Sequence, residues 1–256
     1  MYTTACVHFI GAGPGAVDLI TVRGMHLLQR CDWCLYAGST VNEELLNYCD
    51  EHARLMNTAP LDLPSLTALY QQAAEEGLQI VRLHSGDLSF FSALAEQLRI
   101  LKQLSIPYTL TPGVPAFAAA SALLQRELTV PTVTQSVVLT RIAGRASTMP
   151  PNETLESFAA TQATLAIHLA IQQIDSVVTR VLPFYGDECP AAVVYRASWP
   201  DERIIKAPLG LLAQQVRAAA MTRSALILIG PALDASSFEG SALYAQHYAR
   251  QFRVLK

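Results

Sequence analysis

The sequence has few charged residues, and its composition gives no strongly charged surface. Only 15% of the 256 residues are Asp, Glu, Lys or Arg, and the formal net charge is −3. Nucleic acids and anionic membrane surfaces recruit proteins that carry a dense positive field, so this balance argues against both as partners. Any anionic ligand must be met by a few local cations.

Long apolar segments are also lacking. No stretch reaches the twenty or so uninterrupted apolar residues that a membrane-spanning helix needs. The N-terminus leads directly into a strand-like run, without the basic and long apolar regions of a signal peptide. We therefore expect a soluble, cytoplasmic protein that does not act on a membrane.

The five cysteines form no regular framework, which favours reduced thiols over a disulfide scaffold. Cys31 and Cys34, followed by Cys49 and His52, have the pairwise spacing of a four-ligand zinc site. However, the apolar run 33–37 has the length of a strand and would place Cys34 inside a sheet rather than on a loop. We therefore interpret these cysteines as buried thiols and expect no bound metal.

The first half of the chain alternates short apolar runs with segments of helical period. This rhythm predicts βαβ units, and hence a parallel sheet with helices on its faces. Because such sheets bind ligands at the carboxyl edge of their strands, the loop after each strand is a candidate site. The predicted strand and helix pairs are 7–10 with 22–30, 33–37 with 42–48, and 79–83 with 90–104.

The second half has a different pattern. Some of its strand-like runs are separated by turns too short for a helix, which predicts antiparallel pairing and a mixed sheet. The segment 108–115 combines a short strand with closely spaced prolines and a glycine, and we interpret it as a hinge between domains 1–112 and 113–256. The predicted strands of the second half are 137–141, 164–169, 191–195, 203–205 and 225–229.

A glycine turn follows the first strand, in the segment His-Phe-Ile-Gly-Ala-Gly-Pro-Gly-Ala of residues 8–16. Glycines in this arrangement let the backbone approach a neighbour closely. The segment nearly fits the dinucleotide-binding pattern, but Pro14 lacks an amide N–H that should donate to phosphate. The acidic ribose ligand expected after the second strand is also missing, since residues 35–38 read Leu-Tyr-Ala-Gly. An NAD(P)-dependent oxidoreductase therefore remains only as an alternative.

The longer segment 9–24 resembles the opening signature of the tetrapyrrole methylases, the family that methylates uroporphyrinogen and the precorrins. The segment 83–91 resembles the family's Gly-Asp-Pro loop, with Leu88 where proline is common. Together with later segments in the same order, the resemblance covers nearly the whole chain. Three less general segments resemble the members that methylate precorrin-4 at C11: 58–63, 144–153 and 241–253.

This resemblance implies an α/β fold of two α/β domains, with a mostly parallel N-terminal sheet, a mixed C-terminal sheet and a cleft between them. It implies S-adenosyl-L-methionine as methyl donor, S-adenosyl-L-homocysteine as product, a homodimer, and conversion of precorrin-4 to precorrin-5 in cobalamin biosynthesis. Asp87 could accept hydrogen bonds from the donor, or it could only cap a helix. The donor-binding residues implied by the resemblance are Pro14, Ser85, Gly86, Asp87, Phe90, Pro115, Ala116, Leu169, Ala197 and Ala225.

A corrin precursor carries acetate and propionate groups around a flat apolar ring, so it calls for arginines near an apolar trough. Arg141 and Arg145 are the best-placed candidates, with Arg23 and Arg126 behind them. The resemblance alone suggests that Asp62 contacts a ring nitrogen or stabilises charge during attack.

The remaining alternatives are a methylase acting at another ring carbon, one acting on a cobalt-containing substrate, and a non-catalytic binding module. An aromatic stripe near the C-terminus is expected to pack against the second domain or a partner subunit; it consists of Tyr244, Tyr248 and Phe252.

Overall fold

The computed structural model describes residues 5–144, 148–236, 238 and 240–241. Contacts group the described residues into two compact units. The first comprises residues up to 119 together with 196–202, and the second comprises 120–195 and the residues from 203 onward. The division at residue 112 into folding domains stays a prediction. Arg145 and the aromatic stripe of Tyr244, Tyr248 and Phe252 lie outside the described residues.

The first unit is built on a five-stranded sheet in the order β3-β2-β4-β1-β5. Every neighbouring pair in it is parallel, so all five carboxyl ends lie at one edge. Its strands are β1 Cys6–Gly11, β2 Trp33–Tyr36, β3 Arg54–Asn57, β4 Gln79–His84 and β5 Tyr108–Thr111.

Two apolar cores lie within this unit. One contains Phe9 and Leu35 of the sheet with Tyr70 and Leu101, and the other contains Ile10 and Val81 with Leu28 and Leu45. Because successive strand residues point to opposite faces, the strands buried on both faces, β1, β2 and β4, need apolar residues at most positions. The helices of this unit are α1 Val22–Leu28, α2 Leu63–Glu75 and α3 Leu94–Gln103, with a 3-10 helix at Glu43–Tyr48; α4 Ala116–Leu124 begins in this unit and ends in the second.

The second unit is built on a mixed five-stranded sheet in the order β6-β7-β10-β8-β9. Only β6 and β7 are parallel; the other neighbours are antiparallel. Apolar residues of this sheet pack with those of three helices in one continuous core. The elements are β6 Val137–Arg141, α5 Leu155–Ala159, β7 Thr164–His168, α6 Ile174–Tyr185, β8 Pro190–Tyr195, β9 Arg203–Pro208, α7 Leu209–Ala218 and β10 Ala225–Ile229.

The predicted α/β class, with one parallel and one mixed sheet, is confirmed. Two helix predictions were wrong in detail. The helix predicted at 90–104 begins only at Leu94, because Phe91 and Ala93 have positive φ angles that an α-helix cannot accommodate. The segment 42–48 forms a 3-10 helix. None of the described helices is long and apolar enough to cross a bilayer.

Candidate functional site

Four glycines bring the loops after β1, β4 and β5 into direct backbone contact. A Cβ atom placed on Gly113 would lie 2.2 Å from the Gly86 carbonyl oxygen and 2.6 Å from that of Gly11. Gly13 and Gly86 exchange backbone hydrogen bonds of 3.1 and 2.7 Å, and both have positive φ angles. A Cβ on Gly11 or Gly113 would overlap backbone atoms, and the positive φ angles of Gly13 and Gly86 favour glycine. This glycine junction (Gly11, Gly13, Gly86 and Gly113) brings three carboxyl-edge loops together.

The Asp87 carboxylate ties two of these loops to each other. Its Oδ1 accepts a hydrogen bond from the Ser89 amide at 2.9 Å, and its Oδ2 accepts one from the Gly113 amide at 2.8 Å. Burial alone would raise the pKa of this carboxyl, but hydrogen bonds from the Ser89 side chain and from the Gly113, Ser89 and Leu88 amides outweigh burial and lower it. Asp87 is therefore ionised at neutral pH. Its bond to Ser89 is a turn contact and not the helix cap that was the alternative, because α3 begins only at Leu94.

The amides of the glycine turn are mostly bonded within the protein. The Ala12 amide donates to the His84 carbonyl at 2.7 Å, and the Gly13 amide donates to Gly86. The Ala16 amide donates to the Ser198 hydroxyl at 3.0 Å, and Pro14 has no amide proton. A pyrophosphate cradle needs several such amides pointing at the ligand, so this turn does not provide the dinucleotide site that its spacing suggested.

The connection between β8 and β9 belongs to the first unit and packs on this turn. The Trp199 indole donates to the Pro14 carbonyl at 2.8 Å. A Cβ on Gly15 would lie 2.2 Å from the Trp199 ring, so glycine is required there by contact. The Arg196 guanidinium lies 4.1 Å from the same ring. Trp199 and Ser198 were missed by the sequence reasoning, although Gly15 beside Pro14 was a hint of a close neighbour.

Most of the donor-binding candidates lie in the first unit, around the glycine junction. Pro14 lies in the glycine turn, Ser85 is exposed at the end of β4, and Phe90 makes an edge-to-face contact with Phe117 at 5.9 Å. The remaining members of this group are Gly86, Asp87, Pro115, Ala116 and Ala197.

Two donor-binding candidates lie in the second unit. Leu169 follows β7 and Ala225 begins β10, and the antiparallel pairing of Ile167 with Ile227 places both at the same sheet edge. Leu169 is 72% exposed and has a positive φ of 56°. A large apolar side chain that is both exposed and in a strained conformation is typical of a binding site.

The substrate-binding candidate Arg141 ends β6 and pairs in register with His168 of β7. Its guanidinium donates to the Thr148 carbonyl at 2.8 Å and to the Ile142 carbonyl at 3.1 Å. Arg141 therefore lies at the same edge of the second sheet as Leu169. Burial lowers the pKa of His168 to about 4, so this side chain is neutral at pH 7.

The two further arginine candidates are Arg126 in the second unit and Arg23 in the first. Arg126 donates to the Leu233 carbonyl at 2.9 Å and forms an ion pair with Asp234. Arg23 is exposed on α1. Their substrate-binding role stays a prediction.

Asp62 is the N-cap of α2. Its Oδ1 accepts a hydrogen bond from the Ser65 amide at 2.9 Å, and the side chain is exposed at the carboxyl edge of the first sheet. Hydrogen bonds from Ser65 lower the pKa of its carboxyl. This geometry gives Asp62 a structural role, and its catalytic role stays a prediction.

The four residues with zinc-like spacing are not arranged as a zinc site. Cys31 and Cys34 are buried in the core, whereas the His52 imidazole is exposed beside the Glu51 carboxylate at 3.7 Å. Over the described ranges, no group of three or more His, Cys, Asp or Glu side chains is arranged to hold a metal ion.

Comparisons with known proteins agree with this arrangement. Residues 6–213 match the family Tetrapyrrole (Corrin/Porphyrin) Methylases. The chain is 57% identical to the precorrin-4 C(11)-methyltransferase of Sinorhizobium sp, over 96% of this chain and 98% of that protein. It is 39% identical to the cobalt-precorrin-4 C(11)-methyltransferase of Methanocaldococcus jannaschii, over 96% and 95% of the two chains.

A solved structure gives the same result. The X-ray structure of a cobalamin biosynthetic enzyme, cobalt precorrin-4 methyltransferase, superimposes with a TM-score of 0.87 at 36% identity, covering 90% of this chain and 96% of that one. The sequence resemblance and the fold are thus confirmed together, and the chain belongs to the tetrapyrrole (corrin/porphyrin) methylases.

Proposed function

We propose that this protein transfers the methyl group of S-adenosyl-L-methionine to C11 of precorrin-4, giving precorrin-5 in cobalamin biosynthesis. The observation that carries the proposal is the 57% identity, over nearly the full length of both chains, to a protein named for that reaction. The glycine junction supports it, because it offers closely approaching backbone at three adjacent strand ends and leaves no phosphate cradle. That environment suits a nucleoside without a pyrophosphate.

The chemistry requires little of the side chains. The acceptor carbon attacks the methyl carbon in line with the departing sulfur, so one C–C bond forms and one S–C bond breaks. The protein mainly has to align the three atoms and exclude water. In agreement, the sequence carries no Gly-x-Ser-x-Gly elbow and no His-Glu-x-x-His motif.

For the donor we propose two groups of contacts. Pro14 and the segment 85–87 supply mainly backbone in the first unit, and Leu169 and Ala225 supply apolar contacts in the second. The ionised Asp87 carboxylate can accept further hydrogen bonds, since each carboxylate oxygen has more than one acceptor site. The donor's ribose hydroxyls or ammonium group are the proposed partners.

For the acceptor we propose that Arg141 and Arg145 bind peripheral carboxylates of the tetrapyrrole. Guanidinium groups match carboxylates in bidentate geometry, and Arg141 is held at the sheet edge by two carbonyl contacts. The cobalt-free substrate is favoured by the higher identity to the precorrin-4 enzyme, and cobalt-precorrin-4 is the second candidate.

We further propose that the protein works in the cytoplasm as a homodimer. All five cysteines are free thiols, which suits a reducing compartment. The dimer rests on the family resemblance, and light scattering after gel filtration tests it through a particle mass twice that of the 27.8 kDa chain.

The proposed reaction is tested in two steps. Isothermal calorimetry with S-adenosyl-L-homocysteine, NAD and NADP should detect binding of S-adenosyl-L-homocysteine and no binding of NAD or NADP. Incubation with S-adenosyl-L-methionine carrying a 13C methyl group, and with precorrin-4 or its cobalt complex, should then place the label at C11 by NMR. Label at another carbon would overturn the proposed site of methylation. Binding of NAD or NADP without binding of S-adenosyl-L-homocysteine would overturn the proposed enzyme class.

A further inference from the structure

A buried polar cluster lies beneath the carboxyl edge of the first sheet. It consists of Arg82 on β4, Thr58 after β3, Tyr70 on α2 and Gln97 on α3, and all four side chains are buried. Arg82 lies in register between Phe9 of β1 and Leu35 of β2, near the middle of the sheet. The cluster therefore connects the sheet with the two helices that cover this face.

The groups that accept hydrogen bonds from Arg82 are neutral. One of its terminal nitrogens donates to the Thr58 hydroxyl at 2.8 Å and to the Leu35 carbonyl at 3.4 Å, and its Nε donates to the Gln97 amide oxygen at 3.5 Å. The Tyr70 hydroxyl donates to the same oxygen at 2.8 Å. Within the described part of the chain, no carboxylate forms an ion pair with Arg82.

A guanidinium in this position is unfavourable for stability. Burial lowers the pKa of Arg82 below its usual value, and an apolar residue of similar volume would avoid the cost of removing the charge from water. The guanidinium does, however, fix the direction of the hydrogen bonds around it. Arginine can only donate, so the Thr58 hydroxyl accepts from Arg82 and donates its own proton elsewhere. That proton goes to the Tyr36 carbonyl at 3.0 Å.

These bonds fix the start of the segment 58–62, which joins β3 to α2. The Thr58 amide also donates to the Tyr36 carbonyl at 2.8 Å, and the Leu61 amide donates to the Thr58 carbonyl at 3.0 Å. Thr58 is buried, while Ala59 and Pro60 are exposed. Thr58 thus anchors the segment, and Ala59 and Pro60 form a small exposed apolar surface. This surface lies at the same edge of the first sheet as the glycine junction.

We propose that Arg82 is a positioning residue for the methyl acceptor: through Thr58 it holds the segment 58–62 where the tetrapyrrole binds. This proposal rests on the proposed function. It distinguishes donor binding from acceptor binding, because the proposed donor contacts in this unit lie after β1, β4 and β5 and in the connection between β8 and β9, whereas the segment 58–62 follows β3. Weakening the Arg82 to Thr58 bond should therefore affect the acceptor and leave the donor site intact.

The test uses Thr58→Val, which keeps the shape of the side chain but removes the hydroxyl, and Thr58→Ser, which restores it. Thr67→Val is the matched control, since the Thr67 hydroxyl bonds only the Leu63 carbonyl of its own helix. We expect Thr58→Val to lower kcat/KM for precorrin-4 about tenfold or more, as a misplaced acceptor would. The affinity for S-adenosyl-L-homocysteine should change less than twofold. Thr58→Ser and Thr67→Val should behave like the parent.

Hydrogen exchange provides a readout that does not depend on the reaction. Amides of 58–62 should exchange faster in Thr58→Val, with those of the glycine junction unchanged. Unchanged exchange in 58–62, or equal losses of donor and acceptor binding, would overturn the proposal. If Thr58→Val does not fold, Arg82→Lys is measured in the same way with the same expectations. A parent protein that leaves precorrin-4 unmethylated would instead refute the proposed function, while hydrogen exchange would still test the anchor.

Discussion

Asp87→Asn tests the carboxylate that links two loops of the candidate site. The asparagine side chain keeps one acceptor oxygen and replaces the other by an amide group that only donates. One of the two backbone amides, Ser89 or Gly113, then faces a donor, and the bond that remains loses its ionic character. A buried hydrogen bond to a charged group contributes about 1.5–3 kcal/mol, so we expect the free energy of unfolding to fall by about 2–3 kcal/mol.

The assay is urea denaturation of the parent and variant at pH 7, with calorimetry of S-adenosyl-L-homocysteine binding on the same preparations. Asp50→Asn is the matched control, because its Oδ1 accepts from the His52 amide at 2.9 Å in the same local geometry but is exposed. Surface substitutions of this kind change stability by less than about 0.5 kcal/mol. We expect Asp87→Asn to weaken ligand binding at least tenfold and Asp50→Asn to leave it unchanged.

The pH dependence of the stability difference between parent and Asp87→Asn provides an independent test. Because the folded-state pKa of Asp87 is lowered, its contribution to stability is present above the unfolded pKa of about 3.9 and is lost as the pH falls through the folded pKa. The difference between parent and Asp87→Asn should therefore shrink in acid. A difference below 0.5 kcal/mol at neutral pH, with unchanged ligand binding, would refute both the linking and the ligand role of Asp87.

Three further predictions concern the first unit. Gly113→Ala brings a Cβ to 2.2 Å from the Gly86 carbonyl oxygen, and the backbone must shift to relieve this contact. We expect the variant either not to fold or to lose S-adenosyl-L-homocysteine binding. A stable variant with the affinity of the parent would contradict the close approach of the two loops. Trp199→Phe removes the donor to the Pro14 carbonyl and should cost about 1 kcal/mol in urea denaturation, with weaker ligand binding. Burial lowers the pKa of His84 to about 3, so stability should fall as the pH drops from about 6.5 toward 3. His84→Gln should make that slope shallower by up to roughly 1.4 kcal/mol per pH unit, and an unchanged slope would show that His84 does not titrate there.

The sequence by itself determined the class of fold and the family. Alternating apolar runs are local and give the strands, and the segment 9–24, which contains the glycine turn, is a long, specific match in consecutive residues. The resemblance supplied the donor-binding candidates, and most of them lie in loops after strands, at the edge that parallel sheets commonly use for binding. The strand β3 could not be recognised, since three of its four side chains are exposed and it lacks a buried apolar run.

Only the tertiary structure decided which side chains form hydrogen bonds to these loops. Trp199 bonds Pro14 across 185 residues of sequence, and Asp87 bonds Gly113 across 26. No periodicity or spacing records such contacts, because they depend on how separate elements pack. The same is true of Arg82, which as a charged residue within a strand pattern gives no sign that it is buried and bonded to Thr58. Local patterns specify the elements, and packing between distant segments specifies the site.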